Sequence, residues 1–181
     1  MKKRILQKIP LRLIAFLNQM CYNLRAIKII GKDAFYYCSG IEAVYAHKLE
    51  TWASIKFSNI YANPLYYAGK LYVDGKLVDK VEFTEGKVDI GFSAFIGCED
   101  IEQLIVNEHI NSFGKNAFNG CKNLSVYAES LEQWFTFRFA HKLSNPLYYA
   151  KDFYIDGELV KELVIPENSY IPSLAFAGYN K

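Results

Sequence analysis

The sequence predicts an α+β repeat architecture: a solenoid with one parallel strand per coil, the strands lined up into an open sheet face, and short hairpin-containing inserts. Three observations carry this. The dipeptide Ala-Phe recurs at Ala34-Phe35, Ala94-Phe95, Ala117-Phe118 and Ala175-Phe176. A long stretch returns at one constant offset, that from Trp52 to Trp134. Short segments between these landmarks alternate apolar and polar side chains with period 2, the pattern of a half-buried strand.

The Ala-Phe elements come first because they set the rhythm. Three are followed, three residues after the Phe, by Cys38, Cys98 and Cys121, and the fourth by Tyr179. Cys98 to Cys121 is a short step, whereas Cys38 to Cys98 and Cys121 to Tyr179 are each over twice as long, so a longer insert recurs. That insert is duplicated. Trp52 returns as Trp134, Asn63-Pro64-Leu65-Tyr66-Tyr67-Ala68 as Asn145-Pro146-Leu147-Tyr148-Tyr149-Ala150, and Tyr72-Val73-Asp74-Gly75 as Tyr154-Ile155-Asp156-Gly157, each at the same offset.

Taken in order, residues 1–20 read as a degenerate first unit, with Ile9-Pro10 and Ala15-Phe16, or as an amphipathic cap with Ile5, Ile9, Leu13 and Phe16 on one face. Modules then span 21–90, 91–113 and 114–181 of a single body. Ile101, Leu104 and Val106 point inward while Glu102, Gln103 and Ile105 point outward; Ile41-Val44-Ala46, Val78-Val81-Phe83 and Val160-Leu163-Ile165 share that spacing. The strand after Cys121 is one residue shorter, leaving its register open. Each insert reads as a short helical stretch, an Asn-Pro turn, and a hairpin at Asp74-Gly75 or Asp156-Gly157, dipeptides suited to two-residue β-turns. Gly31, Gly91 and Gly114, three residues before the first three Ala-Phe elements, suit a tight backbone turn. In the Ala-Phe-x-x-Cys element, Ala permits close approach, Phe fills the space between coils and Cys is a small buried apolar group.

Ile30-Gly31-Lys32-Asp33-Ala34-Phe35-Tyr36-Tyr37-Cys38, Ile90-Gly91-Phe92-Ser93-Ala94-Phe95-Ile96-Gly97-Cys98 and Phe113-Gly114-Lys115-Asn116-Ala117-Phe118-Asn119-Gly120-Cys121 resemble the BspA-type leucine-rich repeat family. The Trp, Asn-Pro-Leu and Tyr-x-Asp-Gly insert looks like its long-repeat variant. The resemblance runs from about residue 21 to the end. It implies a curved leucine-rich-repeat solenoid in a non-enzymatic protein, secreted or displayed on a cell surface, engaged in adhesion and binding of host or extracellular-matrix proteins. Two departures stand against it. The basic N-terminus is followed by an apolar stretch broken by Gln7, Lys8, Pro10 and Arg12, which makes no convincing signal peptide. The chain also ends just after an Ala-Phe element, so the C-terminus is expected to interrupt a longer parent array.

Composition narrows the function further. Of 181 residues, 21 are Lys or Arg against 19 Asp or Glu, a net charge of +2, with 14 Tyr and 13 Phe. That balance provides no basic stripe for nucleic acid, and no apolar run approaches the ~18 residues of a membrane helix. No Cys-x-x-Cys pair exists, and His47, His109 and His141 are not spaced with Cys as zinc ligands. The cysteines read as a buried ladder, with a Cys98–Cys121 disulfide or a metal as the competing readings. No catalytic constellation, phosphate loop or cofactor site emerges from spacing, and Asn123-Leu124-Ser125 is a lone glycosylation sequon.

A protein-contact face is therefore expected on the outward strand positions: Glu42 and Tyr45; Asp79, Lys80 and Glu82; Glu102, Gln103 and Ile105; Tyr127; and Lys161, Glu162 and Val164. Its mixed charge with scattered Tyr and Ile suits a protein partner. A structural spacer or fragment of a larger surface protein, and carbohydrate binding through the Tyr-rich inserts, are the competing readings. An exposed aromatic patch at the inserts would favour sugar; one across the strand face would favour protein.

Overall fold

The computed structural model describes residues 27–179. Their strands form two rows. The first follows the predicted positions: β2 (Val44–Ala46), β4 (Leu71–Val73), β6 (Lys80–Val81), β8 (Gln103–Val106), β10 (Ser125–Ala128) and β11 (Asp152–Ile155). Here β2 pairs with β4, and β6, β8, β10 and β11 pair in series, all parallel. The Asp-Gly hairpins add β5 (Lys76–Leu77) antiparallel to β4, and β12 (Glu158–Leu159) antiparallel to β11. Both hairpin turns have positive φ at their two central residues, 46° and 76° at Asp74-Gly75 and 50° and 78° at Asp156-Gly157, the conformation that makes this dipeptide favourable.

The second row goes beyond the one strand per coil that the sequence predicts. The pairs β1 (Ile29–Ile30) with β3 (Lys56–Phe57), and β7 (Val88–Ile90) with β9 (Ile110–Phe113), are also parallel. Between the rows lie the Ala-Phe turns and the inserts. Each insert begins with a short helix, α1 (Leu49–Ala53) or α3 (Leu131–Trp134); the first copy adds a 3₁₀ turn (Ile60–Ala62) and α2 (Leu65–Ala68), and the second two 3₁₀ turns (Lys142–Ser144 and Pro146–Tyr148).

One apolar core runs through these units. Ile101, Leu104 and Val106, and Val78, Val81 and Phe83, are buried as expected, and Leu124, Val126 and Ala128 resolve the register after Cys121. Phe95 stacks on Phe118 with ring centroids 5.3 Å apart. The final segment departs from expectation. Residues 161–165 form no strand, and Leu163 is 42% exposed where its counterpart in the first copy, Val81, is fully buried. Val81 is covered because β6 pairs with β8.

Gly91 and Gly114 are required for a different reason from the tight turn expected of them. Neither has positive φ. A Cβ on Gly91 would lie 2.3 Å from the Ile55 carbonyl oxygen, and one on Gly114 2.5 Å from the Gly91 carbonyl carbon, so neighbouring backbones pack directly against them. The left-handed residues lie nearer the Phe: Asp33, Ser93, Asn116 and Leu174 just before Ala, and Tyr37, Gly97, Gly120 and Gly178 two residues after the Phe.

Candidate interaction surfaces

Parallel register brings the outward residues of successive strands into line. On one sheet Tyr45 aligns with Tyr72, and Tyr72 with Leu77. On the other, Ile105 aligns with Tyr127, Tyr127 with Tyr154, and Tyr154 with Leu159. The tyrosines stack in pairs, with centroids 4.9 Å apart for Tyr45–Tyr72 and 4.5 Å for Tyr127–Tyr154. Their inward neighbours Val44, Ala46, Val126 and Ala128 are buried. The apolar flank and the Tyr154 phenol raise the Tyr127 hydroxyl above its ordinary pKa.

The other predicted face residues distribute unevenly around this row. Glu42 is exposed just before β2. The Asp79 carbonyl accepts from the Glu102 and Gln103 backbone N–H groups, and Lys80 pairs with Glu82 at 2.6 Å. These residues therefore gather around β6 and β8. Lys161, Glu162 and Val164 are exposed but lie beyond β12, outside any strand. Tyr72, Leu77, Tyr154 and Leu159 join the face without having been predicted on it. Tyr-x-Asp-Gly signals a hairpin and nothing about its neighbours. The signal that could have found the row is Val44-Tyr45-Ala46 returning as Val126-Tyr127-Ala128, an outward tyrosine repeated with the insert.

The insert residues do more than make turns. Trp52 Nε1 donates to the Ala94 carbonyl and Trp134 Nε1 to that of Ala175, both at 2.9 Å. Asn63 Nδ2 donates to the carbonyls of Ser93 and Ala94, and Asn145 Nδ2 to those of Leu174 and Ala175. Their Oδ1 atoms accept from the backbone N–H two residues on, Leu65 and Leu147. Both Asn side chains are buried. Each insert thereby grips the next Ala-Phe turn through the same pair of side chains, although the turn lies 42 residues after Trp52 and 41 after Trp134. Ser93 Oγ is buried without a partner among the described residues, and nothing around it accounts for that.

Five tyrosines form a second aromatic surface. Tyr36 and Tyr37 on the first Ala-Phe turn meet at 4.1 Å, Tyr36 meets Tyr61 at 5.0 Å, Tyr61 meets Tyr66 at 5.1 Å, and Tyr66 meets Tyr67 at 5.0 Å. The Tyr37 N–H then donates to Tyr67 Oη at 3.0 Å, closing the circuit. Tyr37 is 75% exposed and sits at φ 62°. The neighbouring Tyr37 hydroxyl pushes the Tyr36 phenol up to about 12.

The remaining chemistry is structural. Cys98 and Cys121 are buried free thiols; burial pushes Cys98 up to about 12 and Cys121 well above its ordinary value, and Cys121 Sγ donates to the Phe95 carbonyl. Cys38 is half-buried and also free, while Cys21 lies outside the described residues. His47 meets Asp74 at 2.8 Å on the surface, and His141 Nδ1 accepts from the Leu143 N–H. Among the described residues no His, Cys, Asp and Glu group could hold a metal ion, and no helix is long and apolar enough to cross a membrane.

Parallel strands one unit apart, Ala-Phe turns that stack on one another, and asparagines buried against the turn carbonyls together define a leucine-rich repeat protein. The chain matches the family described as BspA type Leucine rich repeat region in six copies, over residues 18–125 and 72–181, and belongs to it. Comparison with curated proteins and with solved structures returned no match. Repeats of this kind commonly mediate protein binding, are generally non-enzymatic and typically occur in surface or secreted proteins.

Proposed function

We propose that this chain is a non-enzymatic adhesion module whose units wind as a single solenoid and present the open sheet face to a protein partner, a host or extracellular-matrix protein at the cell surface. One observation carries the reading: the outward residues align on each of two sheets, Tyr45, Tyr72 and Leu77 on one and Ile105, Tyr127, Tyr154 and Leu159 on the other. Stacked tyrosines are already ordered before binding, so they offer contact area at little entropic cost, and the Lys80–Glu82 pair supplies a polar rim. Lys161, Glu162 and Val164 lie beyond the row and belong to its periphery.

The test is surface plasmon resonance of the whole chain over a panel of extracellular-matrix proteins. Tyr127→Ser with Tyr154→Ser is expected to weaken binding by about 2 kcal/mol, roughly thirtyfold, while leaving the fold intact by circular dichroism. Binding to none of the panel, or binding indifferent to this double variant, would sink the proposal.

A further inference from the structure

The tyrosine circuit on the first Ala-Phe turn has no counterpart in the second copy, although the two inserts are close duplicates. Tyr66 and Tyr67 return as Tyr148 and Tyr149, but Tyr61 is replaced by Leu143, and Tyr36 and Tyr37 by Asn119 and Gly120. In the second copy the Tyr149 hydroxyl turns inward, donating to Asn116 Oδ1 at 3.1 Å, and Lys142 lies over the Tyr148 ring. Tyr149 is thus held by internal contacts, while Tyr148 stays 39% exposed without further rings around it among the described residues. In the first copy three rings are added around the equivalent pair, and Tyr36, Tyr37 and Tyr66 are all exposed.

The backbone at Tyr37 is a second, independent pointer. It occupies a left-handed position, φ 62°, that Gly97, Gly120 and Gly178 fill in the other three Ala-Phe elements. A bulky ring there is strained, and strain retained at an exposed position marks a functional constraint. Beside Tyr61 lies a polar fork: Asn59 Nδ2 donates to Asp33 Oδ1 at 2.7 Å, and the Asp33 N–H donates to Asn59 Oδ1. That pairing uses one carboxylate oxygen and one amide N–H and leaves the other acceptor and donor to a ligand. The second copy has Asn116 and His141 at these positions, where no carboxylate is present and where Asn116 Oδ1 and His141 Nδ1 each accept an internal hydrogen bond.

We propose that Tyr36, Tyr37, Tyr61 and Tyr66, with Asp33 and Asn59, form a binding site for an uncharged oligosaccharide. Exposed aromatic faces are electron-rich and attract the C–H faces of a pyranose ring, while a planar carboxylate–amide pair matches neighbouring sugar hydroxyls. The rings meet at 50° to 81° and close on themselves. That is a compact platform, whereas a proline-rich peptide needs an extended aromatic-lined groove.

The whole chain would be screened against neutral oligosaccharides (glucans, mannans and chitooligosaccharides) by glycan array, and binders measured by titration calorimetry. At least one is expected to bind. Tyr37→Gly should weaken it about tenfold or more with the melting temperature unchanged or raised, because glycine relieves the left-handed residue; Tyr148→Ser should leave binding unaltered. Absence of any neutral glycan ligand at millimolar concentration, preference for a proline-rich peptide over every glycan, or a Tyr37→Gly variant that loses stability yet binds as before would each overturn the assignment.

Discussion

At the residue scale the most consequential side chains are Asn63 and Asn145. A buried amide that satisfies two carbonyls and one N–H does what a turn residue alone could not: it fixes the insert against the following unit. Asn63→Ala is expected to cost about 2–3 kcal/mol, since the Leu65 N–H loses its acceptor and the Ser93 and Ala94 carbonyls each lose one of their donors. Asn63→Asp should cost more, because a carboxylate would face those carbonyls. Urea denaturation of both variants checks this, and an alanine variant as stable as the parent would show that water replaces the amide. Little of this was legible in the sequence. Asn-Pro is a turn signal by local chemistry, and nothing local reveals that the Asn63 amide reaches as far as the Ser93 carbonyl. The cysteines were more readable, because identical repeat positions imply similar burial: Cys98 and Cys121 are buried as that rule requires, whereas Cys38 at the same position is only half-buried.

Among the structural elements, the strands and hairpins were the most legible part. Alternation placed the buried residues of β6 and β8 correctly but left the register of β10 open, and Asp-Gly placed both hairpins, because those signals are local. The glycines before Ala-Phe stand out as necessary in the sequence, but their reason lies in the neighbouring unit. Gly91→Ala and Gly114→Ala should therefore destabilise by about 2 kcal/mol, since backbone atoms cannot yield as side chains do. Gly31→Ala, whose Cβ meets nothing within 4 Å among the described residues, should be near neutral. Thermal melts of the three variants decide it; equal losses would mean that backbone conformation sets the requirement. The outward tyrosine row was half legible: Tyr45 and Tyr127 followed from alternation, while Tyr72 and Tyr154 needed the pairing of hairpin strands to known neighbours.

For the whole molecule, the two long copies allow one position to be compared in two settings. Val81 is sealed by the unit that follows it, and Leu163 is open. Val81→Asp should abolish cooperative unfolding, because the charge would be buried without a partner, while Leu163→Asp should shift stability by less than about 1 kcal/mol. Calorimetry of both distinguishes them, and a comparable loss at Leu163 would show that this site too is covered in solution. The grip of Trp52 and Asn63 on Ala94, repeated by Trp134 and Asn145 on Ala175, bears on how such a gene can change length. Inserting or deleting a complete long copy leaves every indole N–H and every amide with its acceptor. The stretch between donor and acceptor can also vary: Ala94 lies 42 residues after Trp52 and Ala175 only 41 after Trp134, and both indole N–H groups keep their carbonyl.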